Sequence, residues 1–402
     1  MFTDPEFPPD SSSLYFSPEH PPKTADPSLI KKWRRISDFC SGPVPSSATS
    51  EQKADWKTHL FIDGTEPGDV QQGAIGDCYY LGAFSVIASR PDLLKPLFVD
   101  VDEAQGRYRM KFFKGGKWRE VEVDDYVPVG ANGLPVYARA ADIREAWVLI
   151  AEKAYAKLHT CYEAIEGGSV TEALVDLTGG APEEIDLGQT PVDEVWERML
   201  RFQQEEWLMG CSNSVVGGAV EADTGMGILQ NHAYGIMQVT RTKSGLRLVK
   251  CRNPWGNGAE WTGRFSDKDQ ASWTPELAAE LNFEDADDGI FWIELSDFVK
   301  QFNRISGVRL YEDEFGKKWQ KHTFNESLTK VAGNSGGCIN YPTWTKNPQY
   351  LVRVDKPDTD LFIVVSQPDP RGRRDRDPDR AYVHKIGAYV LHANEAHPTT
   401  KV

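Results

Sequence analysis

Cys78 closes the run Gln72-Gly73-Ala74-Ile75-Gly76-Asp77-Cys78 and opens an apolar stretch that reads as a helix. A thiol at a helix start lies at the positive end of the helix dipole, beside the free N–H groups of the first turn. Both favour the thiolate, which is the nucleophilic form. The glycines let the preceding backbone pass close to whatever the sulfur attacks. Gln72 is an amide donor able to face a developing oxyanion beside the Cys78 N–H. Taken alone, a buried structural cysteine explains the position better. His232 and Asn253 change that balance. His232 begins the strand HAYGIMQV, Thr242–Gly245 forms a turn, and the returning strand from Leu246 to Cys251 leads to Asn253, so a hairpin brings both to one end. An asparagine oxygen holds one ring nitrogen and leaves the other to face the thiol. A core histidine and a turn residue before Pro254 are the ordinary explanations of each. Together, the three residues describe thiol–imidazole acyl transfer.

Positioning such a trio needs a helix and a β-hairpin on facing units. The chain has 402 residues, 40% apolar and 26% charged, which is ordinary globular composition with material for more than one core. Its net charge of −15 disfavours a general nucleic-acid binder. No apolar run approaches the length of a transmembrane span. The opening MFTDPEFPPD is acidic and proline-rich without an apolar core, so no secretory signal is read. The six cysteines form no C-x-x-C pair, which points to reduced thiols in a cytoplasmic protein.

The coarse pattern is α+β. Residues 1–50 form a proline-rich lead segment and linker expected to drape over a domain. From 51 to 207 the pattern is mainly helical: a helix from Cys78 to Ser89 with Tyr80, Phe84 and Ile87 on one side, stopped by Arg90-Pro91, a strand pair Tyr108–Phe113 and Trp118–Val123, a second helix Ile143–Leu158, and a Glu- and Trp-rich helical region near Trp207. From 208 to 308 alternation takes over. From 309 to 402 strands are expected at Gln349–Val354, Asp360–Val365 and Gly387–His392, and the block reads as an antiparallel β-sandwich.

Several runs resemble the calpain family of papain-like cysteine proteases: QGAIGDC at Gln72–Cys78, HAY at His232–Tyr234, and RNPWGNGAEWTGRFSD at Arg252–Asp267. Asp4–Leu14 resembles that family's N-terminal anchor, and EKAYAK at Glu152–Lys157 and DDGIFWIELSDF at Asp288–Phe298 fall in the right order. GGCINYPTW at Gly336–Trp344 resembles the calpain-type β-sandwich. The resemblance implies a papain-like two-lobed core followed by that sandwich. Cys78 would be the nucleophile, His232 the general acid/base and Asn253 its orienter. Gln72 and the Cys78 N–H would form the oxyanion hole, and Trp255 would gate the cleft between the lobes.

It also implies two calcium ions. The first would take the carbonyls of Ile62 and Gly64 and the carboxylates of Asp69 and Glu163. The second would take Glu260, Asp267 and Asp288 with the Ala286 carbonyl. Here the chain departs from the family: Ile290 replaces a second-site carboxylate, and Pro67 replaces the arginine that pairs with it. A weaker second site is expected, with the coupling across the cleft removed. Tyr79 and Asn231 stand where tryptophan and glycine are usual, which would affect the packing of the helix start and the cleft rim. Asp285–Gly289 fails the EF-hand frame, no penta-EF-hand pattern follows the sandwich, and no EF-hand small subunit is expected.

The expected function is limited proteolysis of protein substrates by a calcium-modulated cysteine endopeptidase. The alternative is a catalytically silent calpain-like scaffold. The Arg/Asp run Arg371–Arg380 suggests a weak lipid or partner contact through the sandwich, with a solvated loop the commoner explanation.

Overall fold

Helix α1 (Cys78–Ala88) is apolar on every side, and all eleven of its residues are buried. A helix without a polar face must sit inside a core rather than on one, so α1 is central and not the one-sided element expected from Tyr80, Phe84 and Ile87. The computed structural model describes residues 1–22, 27–41, 43–215, 221–256, 258–311, 319–369, 371 and 386–391. After α1 come β1 (Phe98–Asp102), β2 (Arg107–Lys114) and β3 (Lys117–Asp124), an antiparallel sheet in that order. The β2–β3 hairpin matches the strand pair read from the sequence, and β1 was not foreseen. Helix α2 (Trp147–Leu158) begins four residues later than expected, because Arg144 is held by the Asp142 carboxylate in the preceding turn. Its Tyr155 ring stacks on Tyr80 of α1 at 4.0 Å between centroids. Helix α3 (Val170–Thr178) completes this first core.

The second core forms on a six-stranded sheet. Its strands are β4 (Ala181–Asp186) and, beyond helix α4 (Val192–Gln204), β5 (Leu208–Asn213), β6 (His232–Arg241), β7 (Arg247–Arg252), β8 (Ile290–Glu294) and β9 (Arg304–Arg309). They lie in the order β8-β7-β6-β5-β9-β4, every neighbouring pair antiparallel. Strand β4 precedes residue 207 yet pairs with β9, so the ladder crosses the boundary drawn from composition. The hairpin β6–β7 has the expected turn, with Gly235 opposite Arg252.

The lead segment lies on the first core. Phe7 is buried against the Tyr162 ring, the Asp4 N–H donates to Asp124, and Lys157 pairs with Asp4 at 2.7 Å. Beyond β9 the described residues form no strand. The segments at 349–354, 360–365 and 386–391 run without ladder partners there, and their apolar side chains, Leu351 and Val390 among them, are exposed. Among the described residues of this block, Asp369 and Arg371 make buried polar contacts with the first core. Asp369 pairs with Lys114 at 2.7 Å, and Arg371 donates to the Tyr79 hydroxyl at 3.0 Å. Of the run Arg371–Arg380, only Arg371 lies among the described residues.

Candidate active site

Cys78 and His232 meet where α1 of the first core lies against β6 of the second. Two glycines set that approach. A Cβ on Gly235 would sit 2.8 Å from Val86 Cγ2 and 3.1 Å from the Gly82 carbonyl oxygen, and one on Gly82 would contact the β6 backbone. Gly73 is equally constrained, since a Cβ there would fall 2.2 Å from the Tyr137 carbonyl oxygen. The loop that carries Gln72 therefore crosses the backbone of Val136 and Tyr137 at close range.

His232 is buried. Its Nε2 lies 2.8 Å from Asn253 Oδ1 and its Nδ1 3.1 Å from Glu221 Oε1. The asparagine oxygen can only accept, so Nε2 carries a proton and Nδ1 faces the thiol side. Asn253 is itself fixed: its Nδ2 donates to the Ala259 carbonyl, and its Oδ1 also accepts from the Trp255 N–H. Burial works against the imidazolium, but the charge of and hydrogen bond with Cys78, then the bonds to Glu221 and Asn253, outweigh it. Together they push the His232 pKa up to about 9. The Cys78 sulfur, a Glu221 oxygen and a His232 ring nitrogen all lie within 4.8 Å of one another. The Trp255 ring stands edge-on to His232 at 5.6 Å. Among the expected residues, Cys78, His232, Asn253, Gln72 and Trp255 thus gather in one place.

Glu221 was missed. Its Oε1 accepts from Gln72 Nε2 at 3.2 Å as well as from His232, so a carboxylate bridges the two groups expected to hold a reacting acyl group. Burial favours its neutral form, but His232 and then Gln72 hold the carboxyl below its ordinary value. Nothing in a glycine-rich loop advertises a contact with a residue 149 positions away. Behind the thiol, Asp77 precedes α1 with no capping bond. Burial first, and then the Glu152 carboxyl, raise its pKa well above the ordinary range. Burial raises Glu152 to about 8, although it accepts from the Ala138 N–H.

The expected metal ligands divide differently. Glu163 is engaged elsewhere, accepting from the Phe16 N–H at 2.9 Å. The carboxylate that meets Ile62 and Asp69 is Glu145: it accepts from the Ile62 N–H at 2.7 Å, and burial and then Asp69 raise its pKa to about 7. The resemblance implied Glu163; Glu145, which precedes α2, is a further carboxylate beside Ile62 and Asp69. The carboxyls of the second group lie in one another's fields. Burial, Glu260, Asp285 and Asp288 raise Asp267 to about 7 against a bond from the Ala286 backbone, and its Oδ2 is buried without a partner. The link expected to vanish with Pro67 and Ile290 has a substitute. Buried Arg252 donates to Val70 O at 2.6 Å and Ser85 Oγ at 2.7 Å, and it lies in the fields of Asp288 and Asp69.

A buried thiol, an imidazole bonded to an asparagine and an amide donor on facing cores are the kind of arrangement that cysteine proteases use. The model of the calpain family cysteine protease domain matches residues 2–309, and that of calpain large subunit domain III matches residues 315–402, so the chain belongs to the calpain family. It is 37% identical over 91% of its length to the calpain-type cysteine protease DEK1 of Arabidopsis thaliana, of which it spans 17%. It is 32% identical over 93% of its length to Calpain-5 of Mus musculus, spanning 61% of that protein, and 33% identical to Calpain-B of Drosophila melanogaster, spanning 41%. Among the described residues no helix is long and apolar enough to cross a membrane.

Proposed function

We propose that the chain is a calcium-modulated cysteine endopeptidase with a papain-like two-lobed core and a C-terminal β-sandwich, acting on protein substrates in the cytoplasm. The observation that carries this reading is the His232 ring, bonded to Asn253 through one nitrogen and turned toward Cys78 with the other.

The Cys78 thiolate attacks a peptide carbonyl carbon, and the carbonyl oxygen takes the negative charge beside Gln72 Nε2. Glu221 must leave that amide first. His232 then gives its Nδ1 proton to the leaving amine as the C–N bond breaks. Water, deprotonated by the same nitrogen, cleaves the thioester and restores the thiol. Because the imidazolium is the proton donor, kcat/KM should fall as pH rises through about 9.

Calcium fits the two acidic groups, because each holds a carboxyl that burial first, and then a neighbouring carboxylate, raise to about 7 without a counter-ion. Asp69 and Glu145 with the Ile62 and Gly64 carbonyls would hold one ion. Glu260, Asp267, Asp288 and the Ala286 carbonyl would hold a second, weaker by the ligand that Ile290 withholds. The ions would supply positive charge that lets both groups ionise. Casein and fluorogenic-peptide cleavage under a calcium titration, run beside Cys78→Ala, tests the proposal. Turnover should appear with the native chain and vanish in the variant; no cleavage at any calcium concentration would favour the silent scaffold.

A further inference from the structure

We propose that Cys78, Glu221 and His232 form a zinc site that shuts the enzyme reversibly. The inference rests on the same thiol–imidazole pair as the protease reading but adds a third ligand and a metal to it. The donor set is one thiolate sulfur, one imidazole nitrogen and one carboxylate oxygen, the mixture that tetrahedral Zn²⁺ takes. The three donor atoms lie within 4.8 Å of one another. Zinc bonds of about 2.0–2.3 Å place tetrahedral ligands roughly 3.3–3.8 Å apart, so closure asks for a contraction of about 1 Å. Side-chain rotation can supply that.

The surroundings are those of a metal site as well. Asn253 holds His232 Nε2, which leaves Nδ1, already 3.1 Å from Glu221 Oε1, as the nitrogen that would ligate. Gln72 Nε2 donates to the same Glu221 oxygen and orients the carboxylate. Cys78 and His232 are both buried, which limits competition from water, and Glu221 is half-buried. A solvent molecule would fill the fourth position. The balance is simple. The Cys78–His232 pair shares one proton, zinc binding releases it to solvent, the Zn–S and Zn–N bonds form, and no electron moves. Calcium, which prefers oxygen ligands, would not compete here.

The test uses the full chain reduced with a phosphine, in zinc-buffered solution. Iodoacetamide labelling of the Cys78 peptide is followed by mass spectrometry. Zinc should protect Cys78, and Glu221→Gln should raise the half-protecting zinc concentration about tenfold or more. Cobalt bound to the native chain should give a thiolate charge-transfer band that Cys78→Ala abolishes. Equal protection in Glu221→Gln, or a cobalt–thiolate band that survives in Cys78→Ala, overturns the proposal. Failure of the protease reading looks different: the cobalt band appears while no peptide is cleaved. Cleavage by the native chain together with zinc protection indifferent to Glu221 sinks the zinc site and leaves the protease standing.

Discussion

The two sides of the seam are buried to similar depth, yet burial decides the charge on one and is overruled on the other. On the thiol side, Asp77 and Glu152 face each other; burial raises both, and the Glu152 charge adds to the penalty on Asp77. Their pKa values rise, and at least one carboxyl keeps its proton. On the imidazole side the same penalty is overturned, because His232 is met by Cys78, Glu221 and Asn253 and holds its proton to about pH 9. Burial alone therefore predicts the thiol side and fails on the imidazole side. The sign is set by whether the neighbours match or oppose the charge.

Gln72 belongs to both sides, since its loop precedes Cys78 while its amide donates to Glu221 and so reaches the His232 partner. Removing an oxyanion donor typically lowers turnover by about 10²–10³. Gln72→Ala should show that loss in kcat with the melting temperature little changed. A smaller fall confined to KM would show that the amide serves ground-state binding or merely parks Glu221.

Gly235 tests whether the two sides must touch as closely as they do. In Gly235→Ala the new methyl would lie 2.8 Å from Val86 Cγ2 on α1, and a buried β-branched side chain in a helix strongly prefers one rotamer. The helix and strand must part by several tenths of an ångström. A misplacement near 1 Å costs about 10²-fold, so a loss of about tenfold in kcat/KM is expected, with overpacking costing about 1–3 kcal/mol of stability. Unchanged kinetics at reduced stability would mean the reacting atoms adjust independently of this contact.

How much of this could be read beforehand depends on the range of the interactions. The helix start at Cys78 and the hairpin that unites His232 with Asn253 are local patterns, and both were legible. The apolar run Cys78–Ala88 also announced burial, although its one-sided reading missed that every face is covered. Glu221 and Glu145 were not legible. Each owes its place to a loop that returns to a partner far along the chain, and an acidic side chain in a loop looks like every other solvated one. Glu163 was chosen for its position in a familiar run, while the fold gives it to the Phe16 N–H. The strands expected past Arg309 carried the right alternation, but alternation specifies a face and not a partner, and no ladder forms among the described residues there.

Glu152→Gln gives the smallest effect and the sharpest view of the thiol side. The Glu152 carboxyl is raised from 4.5 to about 8 in the folded chain. A carboxyl whose folded value exceeds its unfolded one contributes stability that is complete below the unfolded value and is lost as pH rises through the folded one. The native chain should therefore lose part of its melting temperature between about pH 5 and pH 8, since the folded pair must surrender a proton that the unfolded chain has already released. The glutamine keeps an oxygen to accept from the Ala138 N–H and offers an N–H to Asp77, so the loss should flatten by a few degrees. Asp267 and Glu145, each raised to about 7, contribute a fall of the same sign that calcium should reverse and Glu152→Gln should not touch. Melting curves in chelator and in calcium, taken across that pH range, separate the two. A decline identical in Glu152→Gln and the native chain, with chelator present, would mean that the pair behind Cys78 carries no shared proton.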